Sequence, residues 1–107
     1  MVKLELNGVE WQILLVPYNH PELMRDNGTN SFTLGSCNNL TKTIYICDSL
    51  QSNKMWKVLC HEITHAAMFS YHITLTYEQE ELLADLLATY SEEIISTTNK
   101  IMGRLIN

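Results

Sequence analysis

The feature that most constrains this chain is a histidine pair inside a long stretch without helix-breaking residues. Residues 53–72 contain neither proline nor glycine, and within them His61, Glu62 and His65 form the pattern H-E-x-x-H. We therefore predict an α-helix from about residue 53 to residue 71. Because residues four apart on a helix share one face, the two imidazoles can grip one metal ion from a rigid support. Glu62 can reach a water on that ion without being a ligand itself.

This spacing is the one that zinc-assisted hydrolysis requires. A second interpretation stays open at this point, in which the two histidines share a helix face by chance and bind nothing. A catalytic zinc needs a third protein ligand and leaves one coordination position for water. The rest of the chain must therefore supply a further donor.

The third ligand is expected from a second helix. A capping box at residues 76–79 predicts that this helix starts near residue 77, and we expect it to end near residue 99. Glu81 and Asp85 lie four residues apart, beside alanines that allow close helix packing. A carboxylate next to an apolar face is costly unless it is paired or binds a metal. We therefore predict Glu81 and Asp85 as the inward pair, ahead of Glu78 and Glu80.

The half of the chain before the motif predicts a small sheet. Residues 4–6 and 9–16 alternate in character around an Asn-Gly pair, which is a strong β-hairpin signal. Residues 31–35 and 43–47 predict two further strands. The expected fold is α+β, with a small, mostly antiparallel sheet followed by two packed helices in a single domain over residues 1–107.

The connecting segments carry shorter signals. Residues 20–25 predict a short helix with Pro21 at its first position, and residues 26–30 predict a turn. We interpret His20 as a surface or loop residue and His72 as a helix-end residue, and neither as a ligand. Ser52 is the expected N-cap of the motif helix.

Composition narrows the function classes. The chain of 107 residues has a net charge of −5, from 7 Lys+Arg against 12 Asp+Glu, and its basic residues form no cluster. Direct nucleic-acid binding is therefore not expected. No apolar run approaches the ~20 residues of a membrane span. The three cysteines lack C-x-x-C spacing and are expected to be reduced, as in a cytoplasmic protein.

Taken together, H-E-x-x-H at residues 61–65 and E-x-x-A-D-x-x-A at residues 81–88 resemble the ImmA/IrrE family of small zinc metallopeptidase domains. These are gluzincin-type enzymes, frequent in phages and mobile elements. The resemblance covers about residues 34–90. It implies that His61, His65 and Glu81 bind Zn²⁺, that Glu62 is the general base, and that Asp85 supports a zinc-bound histidine.

Two functions follow as hypotheses. The first is a zinc-dependent metalloendopeptidase that cleaves a protein or peptide substrate, for example a repressor or another regulatory protein. The strand at residues 43–47 would be the sheet edge that holds an extended substrate, and Tyr71, Tyr77 and His72 are candidates for a second electrophile. The second is a metal-binding interaction module, similar to an anti-repressor, with little or no protease activity. A metal-free helical hairpin on a small sheet is the remaining interpretation.

Overall fold

The computed structural model describes residues 1–24 and 33–106. The predicted turn at residues 26–30 and the start of the predicted strand at residues 31–35 lie outside these ranges. In chain order, the elements are strands β1 (Val2–Leu6) and β2 (Val9–Val16), a 3-10 turn (Pro21–Leu23), strands β3 (Gly35–Asn38) and β4 (Thr43–Cys47), and helices α1 (Ser52–Ser70) and α2 (Tyr77–Leu105).

The four strands form one sheet in the order β1-β2-β4-β3. β1 and β2 are antiparallel, β2 and β4 are parallel, and β3 and β4 are antiparallel. The predicted hairpin is confirmed, because Asn7 and Gly8 both have positive φ, at 50° and 77°, as a tight two-residue turn of this kind requires. The α+β architecture, with a mostly antiparallel sheet and two packed helices, is confirmed.

The two faces of the sheet bury different residues. The face towards α1 holds the main core, formed by Trp11, Ile44, Ile46 and Ala66. The opposite face is covered by the 3-10 turn and holds a smaller cluster of Val16, Leu23 and Cys47. Since neighbouring residues of a strand point to opposite faces, β4 is buried on both sides.

The end of α1 is tied to the hairpin by hydrogen bonds to one serine. The indole Nε1–H of Trp11, which is fully buried, donates to Ser70 Oγ at 2.7 Å. Asn7 Nδ2 donates to the carbonyl of Ser70 at 3.0 Å. Beyond this point His72 has a φ of 54°, and Ile73 N–H bonds Met68 O at 3.0 Å, as in a Schellman end. These contacts fix the direction of α1 and therefore of the histidines it carries.

Three predicted boundaries are wrong. The N-cap of α1 is Gln51, so Ser52 belongs to the helix itself. β3 lies at Gly35–Asn38 instead of residues 31–35. The side chain of Asn38 accepts a hydrogen bond from Leu40 N–H and so closes the turn between β3 and β4. The residues that pair with β4 are therefore those directly before this turn.

The end of α2 is the third error, because the helix continues to Leu105 instead of ending near residue 99. In its polar stretch Thr98 Oγ1 donates to the carbonyl of Ile94 at 2.7 Å, so this side chain bonds within the helix instead of competing with it. Within residues 1–24 and 33–106, no helix combines the length and the apolar character needed to cross a membrane.

Candidate metal centre

Three ligand-type side chains converge between the two helices. His61 and His65 lie one turn apart on α1, and their Nε2 atoms are 3.2 Å apart. Glu81 on α2 approaches both, with Oε1 2.7 Å from His65 Nε2 and Oε2 3.5 Å from His61 Nε2. One donor atom from each residue falls within a common 4.8 Å. The three residues are all half-buried and together could hold a metal ion.

The other nitrogen of each histidine faces a carboxylate. His61 Nδ1 is 2.9 Å from Asp85 Oδ1, and His65 Nδ1 is 2.6 Å from Glu80 Oε1. A carboxylate in this position favours the tautomer with its proton on Nδ1, which leaves Nε2 available to a metal ion. Each imidazole ring is therefore oriented by one carboxylate, with Nε2 towards the other members of the cluster.

Glu80 is the residue of the candidate site that the sequence interpretation missed. Its side chain is only 18% exposed, whereas that of Asp85 is 69% exposed. The predicted ranking, with Glu81 and Asp85 inward and Glu80 outward, is therefore wrong for Glu80, and also for Asp85, whose side chain is exposed although it reaches His61. Adjacent residues of a helix differ by about 100° in direction, and the His65 ring lies where it meets both Glu80 and Glu81.

The close packing that brings α2 to the histidines depends on small residues. Ala84 is fully buried and Ala88 is 7% exposed, both on the side of α2 that faces α1. α2 begins with the predicted capping box, in which Thr76 Oγ1 accepts from Gln79 N–H and Gln79 Oε1 accepts from Thr76 N–H. The first turns of α2 are therefore held firmly, and they carry Glu80 and Glu81.

Glu62 lies under the sheet instead of among the ligand atoms. It is buried, with 8% of its surface exposed, and it packs beneath β3. A Cβ on Gly35 would lie 3.0 Å from Glu62 Cγ, 3.1 Å from Glu62 Oε2 and 2.7 Å from Val58 Cγ1. Glycine is therefore the residue that permits β3 to pass this close to α1 at the site.

A cleft of about 820 Å³ opens over these residues. Its walls include β3 residues Gly35, Ser36 and Cys37 on one side, and the histidines and Glu81 on the other. In the described part of the sheet, β3 is the edge strand on this side. The prediction that residues 43–47 form the edge is wrong, because β4 pairs with β2 and β3 on its two sides.

One thiol in the cleft is held in its neutral form. Burial raises the pKa of Cys37 from 9.0 to about 12, and the negative charges of Glu62 and Glu80 add to the increase. The three cysteines are free thiols. Cys47 is buried, whereas Cys37 and Cys60 are only half-buried.

The remaining candidates from the sequence lie at different distances from the site. His20 caps the 3-10 turn, where its Nδ1 accepts from Glu22 N–H at 3.1 Å, and it packs against Tyr45. His72 lies just past the end of α1, as expected. Of the three residues considered as a second electrophile, Tyr77 lines the cleft, whereas Tyr71 and His72 do not.

Comparisons with known protein families, with curated proteins and with solved structures find no match to this chain.

Proposed function

We propose that this protein is a zinc-dependent peptidase whose metal ligands are His61, His65 and Glu81. The observation that carries the proposal is the convergence of these three donors: two imidazoles, each oriented by its own carboxylate, and the carboxylate of Glu81. Two ligands of a tetrahedral zinc ion at 2.0–2.1 Å lie about 3.3–3.4 Å from each other. The His61–His65 separation of 3.2 Å and the His61–Glu81 separation of 3.5 Å fit this requirement.

The third separation, 2.7 Å between His65 Nε2 and Glu81 Oε1, is that of a hydrogen bond. A bound metal ion would take the place of this contact. Because metal ligands must be deprotonated, affinity for the ion should fall as the pH is lowered.

When bound, a zinc ion at this position activates water and polarises the carbonyl of a peptide bond. Glu62 is the proposed general base, which takes the proton of the attacking water and delivers it to the leaving amine. Its position in the wall of the cleft suits this role, since a carboxylate there is shielded from bulk solvent. Asp85 and Glu80 are positioning residues that act through the two histidines.

The substrate we propose is an extended segment of a protein. The outer edge of β3 lines the cleft, and strand addition to such an edge binds a peptide mainly through its main chain. This mode demands little of the substrate sequence, which agrees with an open cleft of about 820 Å³. Tyr77 is the candidate for a hydroxyl that stabilises the oxyanion.

The proposal includes the relationship that the sequence suggests, an ImmA/IrrE-like enzyme of the gluzincin type. Its support is the pair of motifs, together with the arrangement of His61, His65, Glu81 and Asp85 that a gluzincin site requires. A repressor or another regulatory protein is the proposed substrate class. The free thiols are consistent with a protein that functions in a reducing compartment such as the cytoplasm.

The test is the substitution Glu62→Gln in the zinc-loaded protein, assayed on a panel of unfolded polypeptides by mass spectrometry. We expect the wild type to cleave, and the variant to retain one zinc per chain with cleavage reduced by at least about a hundredfold. The matched control is Glu78→Gln, an exposed residue in the first turn of α2. Zinc binding without cleavage by the wild type would favour the metal-bearing interaction module instead.

A further inference from the structure

The cleft extends along one face of α1, beyond the metal centre in both directions. The residues of α1 that line it on this face include Lys54, Lys57, His61, His65 and Phe69. At 100° per residue, these five side chains fall within an arc of about 120°. From Lys54 to Phe69 the face is about 22 Å long, which an extended chain of about six or seven residues spans. The cleft can therefore contact a substrate on both sides of a bond placed at the histidines.

One end of the cleft, which we call the lysine end, carries two cations, Lys54 and Lys57, on the first turns of α1. Both side chains are exposed. Within residues 1–24 and 33–106, neither ammonium group forms an ion pair. Cations at the start of a helix oppose its dipole, and the first turn of α1 has no acidic residue to offset them. The stability of α1 therefore does not account for these charges, and both are available to a ligand.

The negative charges of the cleft lie away from the lysine end. The carboxylates that line it belong to Glu22, Glu62, Glu80, Glu81 and Asp85. The last three contact the histidines, where a bound zinc ion would offset their charge. Glu22 accepts from the side chain of Asn38, the last residue of β3. Because α2 runs antiparallel to α1 at the histidines, the residues that it adds to the cleft wall nearer the lysines are the uncharged Ala88 and Thr89.

The other end of the cleft, which we call the apolar end, is lined by Phe69, Leu75 and Tyr77. They come from the last turn of α1, the link between the helices and the first residue of α2. All three are at least partly exposed, so their apolar surface is open to a ligand. Phe69 is held in place by stacking on the buried ring of Trp11, with the ring centroids 6.4 Å apart. The two ends of the cleft therefore differ in charge and in polarity.

We propose that the cleft selects protein segments with acidic side chains on one side of the cleaved bond and uncharged, apolar side chains on the other. This inference rests on the peptidase function proposed above. Main-chain pairing with β3 leaves the choice of side chains to the two ends of the cleft. Lys57 and Phe69 each lie six positions from the midpoint of His61 and His65, about 9 Å along the helix axis. An extended substrate covers this distance in about three residues, so the selected side chains lie about three positions from the bond.

The first experiment measures binding of fluorescent peptides to the zinc-loaded Glu62→Gln variant by anisotropy at low salt. The peptides have blocked termini and one leucine-rich half, and they differ only in carrying glutamate, glutamine or lysine in the other half. We expect the glutamate peptide to bind about tenfold more tightly than the glutamine peptide, and the lysine peptide to bind most weakly. Adding Lys54→Gln and Lys57→Gln should abolish this preference. The matched control adds Lys3→Gln and Lys100→Gln, which remove the same charge outside the cleft and should preserve it.

Equal affinities for the glutamate and glutamine peptides would overturn the proposal, as would a preference that both pairs of substitutions reduce equally, or no binding of any peptide. Because binding is measured in a variant that lacks the proposed general base, the result does not depend on turnover. The stated preference, together with a wild type that cleaves none of these peptides, would contradict the peptidase function and leave the selectivity of the cleft in place.

The second experiment reverses the charge of the lysine end. Lys54→Glu combined with Lys57→Glu, again in the zinc-loaded Glu62→Gln background, should bind the lysine peptide more tightly than the glutamate peptide. The helix should tolerate this change, because acidic residues at its start favour the dipole, and circular dichroism verifies the fold. At the apolar end, Leu75→Ser should weaken binding of the leucine-rich peptides about threefold and leave that of serine-substituted peptides unchanged. Retention of the wild-type order of affinities in the charge-reversed variant would refute the assignment to the two lysines.

Discussion

A single methyl group added at Gly35 should lower the stability of this protein. The new Cβ would lie 2.7 Å from Val58 Cγ1 and 3.0 Å from Glu62 Cγ, closer than packed side chains allow. Overpacking of this kind costs about 1–3 kcal/mol, and the lower entropy of the unfolded alanine chain offsets about 0.4–1 kcal/mol of it. Gly35→Ala should therefore lower the free energy of unfolding by about 0.5–2 kcal/mol, measured by urea denaturation.

Two further variants separate this reasoning from a general effect of alanine. Gly103→Ala is the matched control, because its Cβ would meet nothing within 4 Å and alanine favours a helix, so stability should rise by up to about 1 kcal/mol. Val58→Ala removes the closest atom, so adding Gly35→Ala to it should cost less than in the wild-type background. A Gly35→Ala protein as stable as the wild type, or an identical cost in both backgrounds, would refute the steric argument.

Three other outcomes are expected. Glu80→Gln should weaken zinc binding about 10–100-fold, and Asp85→Asn should weaken it less, because Asp85 is the more exposed. Competition with a chromophoric chelator measures both affinities. A wild-type zinc affinity in Glu80→Gln would contradict the role assigned to Glu80. In zinc-free protein, the pKa of Cys37 is raised to about 12, against 9.0 in the unfolded chain. The free energy of unfolding should therefore fall as the pH rises from 9.0 towards 12, since only the unfolded thiol ionises in this range. Cys37→Ala should lack this contribution to the pH dependence of stability. Ser70→Ala should cost about 1–3 kcal/mol by leaving the buried Trp11 N–H without its acceptor, and an unchanged urea midpoint would argue against it.

Much of the fold could be predicted because the signals are local. The Asn7-Gly8 pair specifies its turn through positive φ, and the capping box at residues 76–79 specifies the start of α2. The helical spacing of the motif placed both histidines on one face of α1, where they are found.

The order of the strands could not be predicted in the same way, because β4 pairs with β2 across an intervening segment. A signal was nevertheless present, since the sequence Thr-Ile-Tyr-Ile-Cys of β4 carries no charge on either face, as an interior strand requires. The role of Glu80 was also hidden, because helix periodicity gives the direction of a side chain and not the angle at which two helices cross. His65 meets Glu80 only because of that crossing.

The measurement that tests the central claim most directly is the number of zinc ions per chain in tag-free protein, determined by elemental analysis after zinc loading and desalting. The wild type and Glu78→Gln should each retain about one zinc, and Glu81→Gln should lose most of it, because the site would keep only two protein ligands. Equal zinc contents in Glu81→Gln and the wild type, or no zinc in any of the three proteins, would contradict a metal site formed by His61, His65 and Glu81.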